Sequence, residues 1–325
     1  MYDFFGIKEL SAREPKCEET GSMEPASVEN LCVLYHSADY LVLNKHWDIR
    51  IDSKLWSETR TVQKQLKHRF PQLVDPRTHY GFRFCHQLDF STSGALCVAL
   101  NKAAAGRAFR CFKDRTVTKA YLALVRGTVA ESRMTLDAAI GKNATEGKTH
   151  MMCVEGTEGC ESPKPSQTLL SVLEYGSYDG EPVTKVLLQP LTGRTHQLRV
   201  HCSSVGHAVV GDVTYSLGAD STPYRMMLHA YFLRIPLEHE VIEVTASDPF
   251  VSKLDPNWTP KTRIRNLQSL MTEIVTKTKA DERQAEEEKL ASEEEKKRRR
   301  RKTVEESEED RVQCQQWLSE WTLSD

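Results

Sequence analysis

Beyond about Arg265 the chain loses the means to build a core. Residues 279 to 310 are almost all Glu, Lys, Arg, Asp, Gln and Ala, and such side chains bury too little apolar surface to offset the entropy of ordering them. Glu293–Lys297, Glu294–Arg298 and Glu295–Arg299 stand four apart, a spacing that supports a solvated single helix. A packed domain therefore has to come from earlier residues. The expected organisation is a disordered leader over 1–27, a folded domain over 28–265, and a charged tail, helical or disordered, over 266–325. The leader mixes Glu, Lys, Ser and Pro without periodicity, apart from an apolar patch, Phe4-Phe5-Gly6-Ile7.

Composition narrows the class. Net charge is −2 and the pI about 6.6, which gives no general support for polyanion binding, so any basic surface has to be local. Nine cysteines, an odd number with no CxxC pair, suit reduced thiols better than a disulfide framework or structural zinc. No apolar run approaches membrane-spanning length, and residues 1–30 lack the apolar stretch of a signal peptide. The expectation is an intracellular protein, cytoplasmic and/or nuclear.

Along the folded region, the runs Leu31–Tyr35 and Tyr40–Asn44 flank a short turn and read as a hairpin. Val62, Leu66 and Phe70 form one stripe of a short amphipathic helix, and an alanine-rich helix is expected over Lys102–Phe112. Strands are expected at Ala95–Leu100, around Tyr121, at Thr168–Leu173, Val183–Leu188, Leu228–Ile235 and Val241–Thr245, an α+β pattern. Residues 141 to 166 read as a long surface loop. A helix capped by Thr195 should turn Leu198, Cys202 and Val205 toward the core.

The chemistry-bearing stretch is His86-Gln87-Leu88-Asp89-Phe90-Ser91-Thr92-Ser93-Gly94. Ser, Thr and Gly after an aspartate favour a tight turn in which hydroxyls and backbone N–H groups hold the carboxylate still. Taken alone, the commoner role of such an aspartate is to cap the turn; a nucleophile, general base or metal ligand are the alternatives. Two stretches downstream carry further chemistry: Lys119-Ala120-Tyr121, in a strand pattern, and Gly193-Arg194-Thr195-His196-Gln197-Leu198-Arg199, a basic turn entering a helix.

Together with Gly206-His207, Gly211-Asp212, Tyr215 and Leu228-His229-Ala230, in this order, these motifs resemble the RluA family of RNA pseudouridine synthases. The resemblance implies a pseudouridine synthase fold, a mixed and largely antiparallel sheet with flanking helices. It implies an isomerase that converts uridine in tRNA, rRNA or mRNA to pseudouridine, a monomer needing no cofactor or metal. Asp89 then corresponds to the nucleophile, attacking C6 of the base or C1′ of the sugar, and Tyr121 to the ring that stacks on uracil. Arg194, beside a helix N-terminus, is the expected partner of Asp89, with Arg199 second, since residues five apart face different ways on a helix. Gln87, Thr92, Arg199 and Leu228 are expected to bind substrate.

Two positions depart from the family pattern: Gln87 stands where an arginine is usual, which bears on base flipping, and His46 follows Lys45 where proline is usual. The competing reading is a catalytically inactive RNA-binding module of this fold, with the tail as a protein-interaction arm. Within that tail Lys296–Lys302 is a basic block suited to nuclear import, to RNA affinity, or simply to a solvated helix, and Trp317–Leu323 offers a docking peptide. A zinc site at His196, His201 and Cys202 lacks the i, i+4 spacing. A two-carboxylate site of Asp89 with Asp212 has nothing in the sequence to bring its members together, and Asp212 reads as a turn residue.

Overall fold

A computed structural model describes residues 25–55 and 57–321. Contacts divide the chain into two units that meet between Asn266 and Leu267. Almost all of the leader, including Phe4-Phe5-Gly6-Ile7, lies outside the described residues, as does the end of the tail at Leu323.

The first unit opens with β1 (Cys32–His36) and β2 (Tyr40–Lys45), paired antiparallel. α1 (Val62–Arg69) starts where the Thr61 hydroxyl accepts from the Lys64 N–H, and it buries Val62 and Leu66. β3 (Arg83–Phe84) and β4 (Ser93–Ala99) bracket the Asp89 turn, and α2 (Lys102–Lys113) follows with Asn101 as its cap. Next come β5 (Thr118–Arg126), β6 (Arg133–Leu136), β7 (Ile140–Asn143), β8 (Met152–Val154) and β9 (Cys160–Lys164). β10 (Thr168–Tyr178), β11 (Glu181–Pro190), α3 (Gln197–Ser204), β12 (Leu228–Pro236), β13 (Val241–Thr245) and β14 (Trp258–Arg263) complete it.

Eleven strands form one sheet along the path β1-β2-β4-β12-β5-β11-β10-β14, with β13 on β12, β3 on β4 and β6 on β10. Only β4 with β12 is parallel. Alternation sends side chains of β2 to both faces: Leu41 and Leu43 pack with Val62 and Leu66 of α1, while Tyr40 and Val42 pack with Ala104 and Ala108 of α2. A strand covered on both faces reads as a continuous apolar run. Further along the sheet, Ala123, Val186 and Leu188 enclose a core with Leu198 and Cys202 of α3.

The parallel junction positions the site. Gly94 and Tyr121 both pair with Ala230, from opposite sides of β12. The three central strands thus place the Asp89 turn and Tyr121 in one row. Gly94 has φ +109, and a Cβ there would meet the Ala230 carbonyl oxygen at 2.3 Å. Glycine is required both by conformation and by this approach.

Three expectations change. Residues 141–166 are not a loop: β8, β7 and β9 form a separate three-stranded sheet. β7 and β9 are short and largely polar and β8 is only an apolar triplet, Met152–Val154, so no alternation betrays them, and Gly141 lets β9 close in, since a Cβ there would come within 2.5 Å of the Glu161 carbonyl oxygen. The residue before α3 is His196, in the left-handed region at φ 54, with no side-chain cap, so Thr195 is not the cap; Val205 is 38% exposed rather than in the core. Seven described cysteines are free, whereas Cys32 is disulfide-bonded, so reduced thiols throughout is not what is found.

The second unit is one helix, α4 (Leu267–Trp321). Of the spaced charge pairs, Glu295 with Arg299 is formed at 3.0 Å, joined by Arg298 at 3.2 Å. Trp317 and Leu318 are exposed. Among the described residues no helix is long and apolar enough to cross a membrane.

Candidate active site

A cavity of about 510 Å³ opens beside the Asp89 turn. Asp89, Tyr121, Arg194, Gln87, Thr92, Arg199 and Leu228 all line it. Three remote segments, the turn before β4, strand β5 and the start of α3, therefore converge on one space.

The carboxylate is held from one side. Arg199 donates from Nη1 to Oδ2 of Asp89 at 3.2 Å. The same guanidinium donates from Nε and Nη2 to Asp212, at 2.7 and 2.8 Å. Burial works against the charged form of Arg199, yet the hydrogen bonds and charge of Asp212, with the charge of Asp89, more than compensate and push its pKa up. Arg199 also lies over the Tyr215 ring, 4.9 Å from its centroid.

Arg194 does not take the part expected of it. Its Nε and Nη2 both donate to the Pro165 carbonyl, at 3.1 and 3.0 Å. Arg194 precedes the helix proper and swings toward the chain entering β10, whereas Arg199 sits within α3 on the face that meets Asp89. Because Arg194 lies outside α3, helical i, i+5 spacing does not decide between the two, and the tertiary packing selected Arg199.

Asp212 is the residue that sequence reasoning undervalued. It is a turn residue, with Oδ1 accepting from the N–H groups of Thr214 and Tyr215 at 3.1 Å each. It is also bridged to Asp89 through Arg199, so the two carboxylates are brought together after all. The signal available was the position of Gly211-Asp212 in the same run of motifs as Arg199.

Lys45 is a second omission. Its side chain is 1% exposed, and Nζ donates to the carbonyls of His46, Ile49 and Phe90 at 2.9, 3.0 and 3.0 Å. Burial first, and then the charge of Arg225, pull its pKa down to about 7. By gripping Phe90 it clamps the backbone next to Asp89.

Tyr121 is kept protonated: burial and then the Asp89 charge raise its pKa. His196 bonds through Nδ1 with the Tyr215 hydroxyl at 2.9 Å, and that hydroxyl accepts from the Met152 N–H at 2.9 Å. The separate β7–β9 sheet is in this way tied to the guanidinium-bearing helix. No cluster of three His, Cys, Asp or Glu suited to a metal occurs among the described residues; His201 instead bonds to Thr168, at 2.9 Å, and to the Ala138 carbonyl, at 3.0 Å.

A carboxylate anchored by one oxygen at the wall of an open cavity, facing an un-ionised phenol, suits covalent attack on a planar base. Residues 39–204 match the family model for RNA pseudouridylate synthase. The chain belongs to the RNA pseudouridylate synthase family. It is 68% identical over 93% of its length to RNA pseudouridylate synthase domain-containing protein 1 of Danio rerio, all of which is covered. The solved structure titled Human RNA Pseudouridylate Synthase Domain Containing 1 superposes with a TM-score of 0.70 at 61% identity, covering 77% of this chain and 96% of that one. Dual-specificity RNA pseudouridine synthase RluA of Escherichia coli (strain K12) is 31% identical over 63% of this chain and 86% of its own. The resemblance read from the motifs is thus a family relationship, and the fold is a pseudouridine synthase fold with a helical C-terminal region.

Proposed function

We propose that this protein isomerises a uridine within structured RNA to pseudouridine, with Asp89 as the nucleophile. The observation that carries the reading is the hold on Asp89: Arg199 bonds Oδ2 only, leaving Oδ1 to attack. The reaction breaks the N1–C1′ bond, turns the detached base and joins C5 to C1′. Addition of Asp89 to C6 of the base or to C1′ of the sugar serves equally to free the base while retaining it. Leu228 and the Tyr121 ring supply an apolar wall for the loose uracil, and the Tyr121 hydroxyl, held protonated, is placed to share in proton movement at C5. Gln87 and Thr92 stand along the same wall as polar contacts for the nucleotide.

A uridine stacked in folded RNA has to be extruded to reach such a cavity. The chemistry assigned here asks for no metal or redox group. The protein acts inside the cell, in cytoplasm or nucleus, as a monomer on tRNA, rRNA or mRNA, and α4 presents its basic block and exposed Trp317 to a partner protein or to RNA.

One observation favours a second reading, an inactive RNA-binding module: Gln87 lacks the charge that the family's usual arginine brings to flipping. The two readings separate in one experiment. Total RNA from cells lacking the protein is incubated with wild type or with Asp89→Asn, and pseudouridine is mapped. Wild type is expected to introduce pseudouridine at defined sites and Asp89→Asn to introduce none while still binding RNA. Equal modification by both proteins, or none by either, rejects the enzyme reading.

A further inference from the structure

We propose that Lys119 is the core of an anion subsite in the cavity that takes the phosphodiester next to the extruded nucleotide, so that the cavity binds a strand and not a free nucleoside. The inference deepens the function proposed above and rests on it for the identity of the base.

The cavity wall carries Lys113, Arg115, Lys119, Arg194 and Arg199 against one carboxylate, Asp89. Arg199 is spent on Asp212 and Asp89, and Arg194 on the Pro165 carbonyl. Lys113 and Arg115 are exposed at the rim. Lys119 differs from all of these. It is half-buried in the cavity wall, desolvation alone lowers its pKa, and its ammonium has no hydrogen-bond or ion-pair partner among the described residues. Its neighbours offer no counter-charge: Gly193 lies alongside, and His86, stacked on Phe112 at 5.1 Å, has its pKa pushed down by desolvation first and then by the Lys119 charge. A desolvated ammonium left unpaired costs the fold free energy, and an anionic ligand recovers it.

Spacing supplies the second argument. Lys119 and Tyr121 lie two apart on β5 and both face the cavity, so their side chains leave the strand about 7 Å apart on one face. That is the scale separating a nucleobase from a phosphate of its own nucleotide. A uracil against Tyr121 would put that phosphate over Lys119, with Arg115 and Lys113 following the strand outward.

The test uses the full chain, a short fluorescent oligouridylate, and a salt series. Lys119→Met should bind about tenfold more weakly at low salt, the size of one charge-assisted contact, with a salt slope shallower by about 1. Inorganic phosphate should compete for wild type and lose that effect in the variant. Because the cation is a cost to the empty protein, Lys119→Met should also melt at a higher temperature, and Lys119→Arg should retain binding. Unchanged affinity and slope overturn the proposal. So does weaker binding accompanied by a lower melting temperature or by failure to fold, which marks a structural lysine. Isomerisation by wild type, abolished in Asp89→Asn, is read separately: it can hold while the anion subsite fails, and the Lys119 result can hold while isomerisation fails.

Discussion

Arg199 and Asp212 form a two-point pair, 2.7 Å from Nε to Oδ2 and 2.8 Å from Nη2 to Oδ1, with 9% and 1% of their side chains exposed. A fork locked in this way has little rotational freedom left, and its remaining Nη1 points at Asp89. Asp89 is therefore positioned by a buried carboxylate that does not itself line the cavity.

Replacing Asp212 by Asn keeps an oxygen for the N–H groups of Thr214 and Tyr215 but removes the charge that aims Arg199. Turnover should fall by about 10²-fold, the cost of misplacing a reacting group by about 1 Å, with little change in KM. Steady-state kinetics on the mapped RNA site measures the split. A change confined to KM would show that Asp212 does not act through Asp89.

The two arginines should separate cleanly. Arg199→Met strands Asp212 without its partner and should cost about 3–5 kcal/mol of stability along with turnover. Arg194→Met loses two bonds to one carbonyl near the surface, worth about 1 kcal/mol each at most, and should retain activity within about tenfold of wild type, a barrier change of about 1.4 kcal/mol. Denaturant titration and kinetics on both variants decide which arginine serves Asp89.

Gly94→Ala brings a Cβ to 2.3 Å from the Ala230 carbonyl oxygen at φ +109. Opening the β4–β12 junction to relieve this should destabilise the protein by about 3 kcal/mol or more and displace the Asp89 turn. Thermal unfolding at wild-type level with full activity would show that the junction tolerates a methyl group.

Acid should unfold the protein early. Burial lowers the pKa of His229 from 6.5 to about 3, that of His86 to about 3 and that of His46 to about 4. Between these values and 6.5 the unfolded chain binds protons that the folded chain does not, so stability is fully present above pH 6.5 and falls as pH drops through the window. For His229, 2% exposed, the slope is at most about 1.4 kcal/mol per pH unit. Urea midpoints measured from neutral pH downward should fall more steeply in wild type than in His229→Gln; parallel curves would mean that His229 is not held neutral.

Much of the architecture is local enough to be read from residues. Tyr40–Lys45 and Leu228–Pro236 declare themselves as buried strands because both faces of each are covered, and the stripe of Val62, Leu66 and Phe70 announces α1. The sheet of β7, β8 and β9 was hidden because strands of three to five residues are too short to show a period, and because its pairing depends on a glycine that only the neighbouring strand explains. Lys119 was legible as a strand residue beside Tyr121, but its lack of a counter-charge was not, since that depends on everything packed around it.

The amino-acid order by itself determined where a core can form, that residues 279 to 310 cannot join it, and that a carboxylate on a tight turn belongs with a tyrosine strand and a basic helix entry. Those properties follow from side-chain chemistry and near-neighbour spacing. Only the tertiary structure decided that Arg199 and not Arg194 reaches Asp89, and that Asp212 stands behind it. The reason is physical: which of two helix-entry arginines meets a carboxylate 110 positions away depends on how α3 is rotated against the sheet, and that rotation is set by the packing of Leu198 and Cys202 into a core assembled from distant strands.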